Sequence, residues 1–413
     1  MSRLIIVGGA VFDGVTGDVV RDGIVSIEGD RITAVGPASA MPARGRDVEV
    51  LDATGCFVMP GLMDCHVHLL LSGAPDFAMR GLKELVPYTA IRGAAHARVL
   101  LEAGFTTVRD VGAHGYGNIA LRQAIRDGLV PGPRIVAAGH SLSVPGGHGD
   151  PYYRPEVRVM REGLVNGPDE ARRAVRQLVK MGADLIKILV TGGVMTDGSD
   201  VGLLQWTPDE RRAAIGQAHQ LGRRVAGHCH GAAGVKEAVR AGLDTVEHGT
   251  LLDEEAIALM KRQGAYYVPT LAAGFHICAG GTAAGIPEYA VRKAQLVAER
   301  ATASVRHARE VGVTIAMGTD CGTPLNVAGK NAFELELLAQ NGLSAAETLL
   351  AATRVAAEAI GIQAETGTLE PGKLADVIVV DGDPLAEIRV LQQAERITHV
   401  IQAGRLVRPG LRP

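Results

Sequence analysis

The sequence predicts an α/β fold, and three observations carry that reading. Between about residues 100 and 320 a helical stretch, a glycine and a short apolar strand recur in that order. At both ends of the chain the apolar residues alternate with polar ones instead, as in antiparallel strands. Polar side chains able to bind metal recur where the central strands end: His66, His68, Lys187, His228, His248 and Asp320. Repeated strand–helix–strand units fit an α/β barrel or a doubly wound sheet. Only a barrel brings the C-terminal ends of all its strands to one mouth, so these residues favour a (β/α)8 TIM barrel.

The glycines of the repeat are Gly104, Gly182, Gly222, Gly242, Gly264 and Gly312, each placed where a left-handed residue would end a helix. The strands that follow are Thr106-Thr107-Val108, Leu185 to Leu189, Val225 to His228, Thr245 to His248, Tyr267 to Thr270 and Thr314 to Met317. Their continuous apolar character suits a parallel sheet covered on both faces. One helix start is explicit: Thr207 caps, Pro208 takes the first helical position, and Glu210 completes a capping box. Before the repeat, Ile24 to Ile27, the turn Glu28-Gly29-Asp30, and Ile32 to Val35 read as a hairpin. Asp376 to Val380 and Val400 to Val407 resume that style near the C-terminus. Neither end alone buries much surface. The expected organisation is a small β-sandwich domain built from residues 1–58 plus 364–413, with the barrel, 59–363, inserted between them.

At 413 residues, with 47% hydrophobic and 21% charged, the chain can build a large core. It has no run of the roughly 18 apolar residues that a membrane span requires. Its formal net charge of −3 gives no reason to expect nucleic acid or an anionic membrane, so a small-molecule or dipeptide substrate is the natural partner. The five cysteines are odd in number and lack a C-x-x-C pair. The start of the chain has no signal-like segment. A cytoplasmic protein is expected, as a homo-oligomer.

His66 and His68 are two apart, so on an extended segment both imidazoles share one face while Cys65 and Val67 take the other. In Gly227-His228-Cys229-His230 the same alternation turns both histidines inward; His228 is assigned to metal and His230 to substrate. A lysine inside Leu185 to Leu189 is costly to bury as an ammonium, and its pKa should fall. A neutral amine can capture carbon dioxide, and the resulting carbamate offers two oxygens able to bridge two metals. Read alone, Lys187 would be a side chain snorkelling at a strand end, and Asp320 a cap or turn residue. Together they read as metal ligands, with Asp320 also able to take a proton from bound water. Imidazoles with few carboxylates point to zinc, two ions per chain. Cys65, Cys229 and Cys321 should face away.

Asp64-Cys65-His66-Val67-His68, Lys187, His228, His248, Gly318-Thr319-Asp320 and Gly367 to Val377 together resemble the amidohydrolase superfamily over essentially the whole chain. Thr106 to Gly112 and Val144 to Asp150 resemble its imidazolonepropionase-related branch, which contains metal-dependent dipeptidases and carboxypeptidases acting on Xaa-Pro, Xaa-Arg or Xaa-Lys bonds. Imidazolonepropionase is mononuclear and lacks the lysine carbamate, so Lys187 points to the binuclear members. The resemblance implies that His66, His68 and Asp320 hold one metal and His228 and His248 the other, with carboxylated Lys187 as bridge. It implies that His140 polarises the scissile carbonyl and that His230 contacts substrate. Val144-Pro145 stands where relatives often carry a hydroxyl residue, which weakens any specific substrate assignment.

The expected reaction is attack of a metal-bridged hydroxide on an amide bond. The substrate would be a dipeptide or N-acyl amino acid with a free C-terminal carboxylate. The alternative is a cyclic amide, carbamate, urea or related xenobiotic. A catalytically silent relative would have lost ligands, and none is missing. Substrate contacts are expected from His148 and Tyr153 on a loop rich in Gly and Pro, and from backbone N–H groups of Thr191 to Val194; Gly280 to Pro287 is a candidate lid.

Overall fold

The computed structural model describes residues 3–40, 48–150 and 163–408. Strands β1 (Arg3–Phe12), β2 (Val19–Glu28), β3 (Arg31–Pro37), β4 (Val48–Asp52) and β5 (Phe57–Pro60) open the chain. Strands β6 (Leu62–Val67), β7 (Phe105–Asp110), β8 (Arg134–Ala137), β9 (Leu185–Leu189), β10 (Arg224–Gly231), β11 (Thr245–Leu251) and β12 (Tyr266–Val268) alternate with helices. Strands β13 (Val377–Val380), β14 (Ile397–Gln402) and β15 (Arg405–Arg408) close it.

Both ends of the chain share one sheet, in the order β15-β14-β13-β5-β1-β2-β3, with β4 branching from β1. The ladder is therefore connected throughout, rather than split into two separate sheets. Leu4, Ile6, Val25, Ile27, Val58, Val377 and Ile401 form its apolar core. Glu28 pairs with Arg31, which leaves Gly29-Asp30 as the two-residue turn, with Gly29 at φ 63°. The stretch around Val400 to Val407 is itself a hairpin, turning at Ala403 (φ 45°) and Gly404 (φ 72°).

The central strands form two parallel arcs, β6-β7-β8 and β9-β10-β11-β12. Leu142 bridges to Ile188, and Asp184 N donates to Ala137 O at 2.8 Å, which joins β8 to β9. On the other side, residues 314–321 lie between β12 and β6. Tyr267 N donates to Thr314 O at 2.9 Å and Asp320 N to His66 O at 2.7 Å. Thr314 to Met317 was expected as a strand, and it is extended but shrinks to a single bridge residue, Ile315. All six glycines of the repeat have positive φ, and Gly264 and Gly312 cap their helices in the left-handed region. The capping box at Thr207 and Glu210 forms with both of its hydrogen bonds.

The core is layered. A large apolar cluster lies between strands and helices, and a second one, including Met63, Cys65, Leu185, Ala226, Val268 and Ala316, packs on the short helix Arg354–Ile360. This second layer is a floor beneath the strand ends that carry the polar residues.

Gly61 alone separates β5 from β6, and a Cβ there would lie 2.2 Å from Thr106 Oγ1, so only glycine lets the chain pass. Asp376, buried, accepts from Arg134 Nη1 at 2.7 Å, Thr366 Oγ1 at 2.9 Å and Ala403 N at 2.9 Å, and so ties the terminal sheet to β8. Replacing Asp376 with Ala strands those donors, and should lower the unfolding free energy by roughly 1–3 kcal/mol. A thermal or denaturant midpoint equal to the parent's would show that this carboxylate does not secure the sheet.

Candidate metal centre

Four strand ends and the segment after Ile315 bring the polar residues together at one cavity. His66 Nε2 lies 3.4 Å, and His68 Nε2 3.3 Å, from Asp320 Oδ1. Ligand atoms of His66, His68 and Asp320 all fall within 4.8 Å of one another. Lys187 Nζ lies 3.5 Å from His66 Nε2. The ring of His248 is 4.9 Å from that of His66 and 4.5 Å from that of His228. His228 Nε2 is buried and has no hydrogen-bond partner among the described residues. An orphaned imidazole nitrogen beside a His–His–Asp cluster and a buried lysine is a donor set that fits divalent cations.

Hydrogen bonds at Nδ1 set the direction of four of the rings. His66 Nδ1 meets Glu247 Oε2 at 2.7 Å, and His68 Nδ1 meets Gly112 O at 2.9 Å. His248 Nδ1 meets Thr270 Oγ1 at 2.7 Å, and His230 Nδ1 meets Thr250 Oγ1 at 2.9 Å. Glu247 is paired in turn with Arg109 Nη2 at 2.7 Å and accepts from Thr245 Oγ1. Beneath Asp320, buried Asp64 accepts from Thr319 Oγ1 at 2.6 Å, Asn331 Nδ2 at 2.7 Å and His66 N at 2.9 Å. Neither the Arg109–Glu247 pair nor the Asp64 network was assigned a role from sequence. The available signal was a charged residue inside an otherwise apolar strand.

Burial holds the imidazoles of His66, His228 and His248 well below the usual histidine range, and those of His148 and His230 down at about 3. They are neutral, with lone pairs available. Burial also brings Lys187 down to about 8, against the pull of Glu247 and Asp320. Asp320 is pushed up by burial, but His66, His68 and Lys187 outweigh that and keep it below the ordinary carboxylate range. His68 is drawn down by burial and raised more strongly by its hydrogen bond and charge interaction with Asp320.

The backbone is strained here as well. His248, Thr270 and Asp320 have φ of 70°, 50° and 59°, in the left-handed region that costs non-glycine residues about 1–3 kcal/mol each.

His140 and His148 line the same cavity, about 1280 Å³ in volume, together with His230. The ring of His140 lies 5.2 Å from that of Tyr116. Tyr153 lies outside the described residues. The N–H groups of Thr191 and Gly192 are engaged by His228 O and Leu203 O, so those two do not await a carboxylate. Pro287 and Gly285 sit at the cavity, but Ile286 between them is buried against Ile277, Ala290 and Val291, which anchors the candidate lid. Cys229 and Cys321 pack in the outer apolar layer. Cys65 departs from strict alternation: the β6–β7 register slips between Asp64 and Val67, and Cys65 drops into the floor beneath the imidazoles with its Sγ on Ala356 O.

The sequence pattern of the amidohydrolase family matches residues 57–407. The solved structure of an Xaa-Pro dipeptidase with methionine bound in its active site has a TM-score of 0.91 at 38% identity, covering 98% of this chain and 100% of that one. That of a prolidase complexed with N-methylphosphonate-L-proline has a TM-score of 0.90 at 33% identity, covering 99% and 100%. Ochratoxinase of Aspergillus niger is 35% identical over 378 residues, 86% of this chain and 77% of its own length. These likenesses imply the architecture of a TIM barrel with a small companion domain. On these matches the protein belongs to the amidohydrolase family and is a hydrolase acting on carbon–nitrogen bonds.

Proposed function

We propose that this chain is a binuclear metal-dependent amidohydrolase acting on dipeptides or N-acyl amino acids with a free C-terminal carboxylate. The observation that carries the reading is the placement of Lys187 Nζ, on a buried amine of lowered pKa, 3.5 Å from His66 Nε2 in a cluster of neutral imidazoles. The arcs β6-β7-β8 and β9-β10-β11-β12 and the segment 314–321 would be parts of one (β/α)8 barrel, residues 59–363. The sheet of residues 1–58 and 364–413 would be the companion domain.

His66, His68 and Asp320 would hold one cation, His228 and His248 the other, and zinc suits these donors. The neutral amine of Lys187 attacks carbon dioxide, forming an N–C bond and releasing one proton. Carboxylated in this way, Lys187 would supply oxygen donors to the cations. When bound, the cation pair lowers the pKa of water and polarises the scissile carbonyl. Asp320, whose carboxyl lies below the ordinary carboxylate range, takes the proton from the attacking water and returns it to the leaving nitrogen. His140 donates to the carbonyl oxygen as negative charge grows there. His230, whose ring stacks on that of His248 at 5.0 Å and lines the cavity, would contact the substrate.

Similarity to an Xaa-Pro dipeptidase and to a prolidase supports the dipeptide substrate. A second reading, hydrolysis of a larger xenobiotic amide, is favoured by the cavity, whose roughly 1280 Å³ exceeds the range usual for small-ligand pockets and whose rim includes Met79, Leu82 and Phe275. Ochratoxinase is the relative that supports it. Protein loaded with zinc in bicarbonate should release free amino acids from one class among Xaa-Pro, Xaa-Arg and Xaa-hydrophobic dipeptides. Turnover of aryl amides alone would decide for the second reading.

Lys187→Ala should lose bound metal and activity together, with partial rescue by short carboxylic acids; unchanged turnover would exclude the carbamate. Because the reacting amine must be neutral, reactivation of metal-free parent protein by zinc at a fixed concentration of dissolved carbon dioxide should speed up as pH rises through about 8. Asp320→Asn should keep most of the metal and lower kcat by about 10²- to 10⁴-fold. His140→Ala should keep all of it and lower kcat by about 10²- to 10³-fold. Metal lost from the His140 variant would make that residue a ligand instead.

A further inference from the structure

Four of the imidazoles at the centre are directed by a hydrogen bond at Nδ1, from Glu247, Gly112, Thr270 and Thr250. His228 is the exception, since its ring makes no hydrogen bond among the described residues. What touches it is other rings: His230 at 4.6 Å and His248 at 4.5 Å meet it edge to face, and His148 stacks on it at 4.2 Å with planes 27° apart.

His148 is itself firmly held. Its Nδ1 meets Thr196 Oγ1 at 2.8 Å, its backbone N donates to Gln205 Oε1 at 2.8 Å, and its carbonyl accepts from Ser143 Oγ at 2.5 Å. Its ring lies over Gly193, where a Cβ would come within 2.5–2.7 Å of three ring atoms, so that contact requires glycine. The loop carrying Gly193 and Thr196 is fastened to the helix Glu288–Val311 by Lys293 Nζ, which donates to Thr196 O at 2.8 Å and to Ser199 O. A metal-binding imidazole ordinarily takes its orientation from an outer hydrogen bond. Here a stacked ring stands in that place, and the stack is braced from across the mouth.

We propose that His148 is a positioning residue: stacked on His228, it fixes the orientation of that imidazole at the centre. The proposal rests on His228 being a metal ligand, and it concerns the affinity of the second cation rather than the chemical step. The test uses full-length protein titrated with cobalt(II), read by chelator competition and by the visible spectrum of the bound ion. His148→Ala should weaken the second ion by about 10- to 100-fold, the range for losing an outer partner of a ligand, and should alter its spectrum. The first ion and the melting temperature of the metal-free protein should stay as in the parent. His148→Phe keeps a ring on the same face without a nitrogen, and should restore both affinity and spectrum. Parental binding in His148→Ala would overturn the proposal. So would a His148→Phe variant as weak as His148→Ala, because His148 would then act through a nitrogen. His228→Ala should bind one ion fewer; if it keeps both, the ligand assignment itself fails, whatever the His148 variants do.

Discussion

A buried ion pair, Arg109 with Glu247, governs the direction of the first imidazole and through it the geometry of the centre. Neither side chain exceeds 2% exposure, so both charges have left water and depend on each other. Such a pair is tolerable only when its remaining donors and acceptors are also used. They are: Arg109 reaches Cys65 O and Thr245 Oγ1, and Glu247 spends its other oxygen on His66 Nδ1. That last bond fixes the ring so that Nε2, the atom nearest Lys187 and Asp320, faces the cavity. Register between β6, β7 and β11 is thereby coupled to chemistry, because the three residues of the relay sit on those three strands.

The same economy runs through the rest of the site. Burial keeps most of the imidazoles unprotonated and lowers the lysine, while Asp320 stays below the ordinary carboxylate range, helped by its hydrogen bond with His68. Lone pairs are thus crowded together with few protons among them, an arrangement that cations would relieve. Left-handed backbone at His248, Thr270 and Asp320 adds strain at the same place. The layer below supplies the stiffness to hold it: Leu185 and Ala226 lie two residues before Lys187 and His228 on their strands, and both belong to the apolar floor.

Much of this was legible in the residues. The period of the side chains put His66 beside His68 and His228 beside His230, and a lysine in the middle of an apolar strand announced an unusual amine. Positive φ at Gly104, Gly182, Gly222, Gly242, Gly264 and Gly312 follows from helix-ending chemistry that a sequence displays directly. What was hidden depended on separation along the chain or on local irregularity. Arg109 and Glu247 are 138 residues apart, and no local pattern pairs them. Cys65 escaped the alternation rule because the ladder slips beside it. The stack of His148 on His228 needs a loop to fold over the mouth and a bare Cα at Gly193, and neither leaves a periodic trace.

A binuclear centre requires two cations side by side among these donors. X-ray absorption fine structure of the zinc-loaded protein reads that directly. Scattering from a second zinc is expected at the spacing of about 3.5–4 Å common to two-metal sites. A spectrum explained by light atoms alone, on protein carrying its full complement of metal, would contradict it.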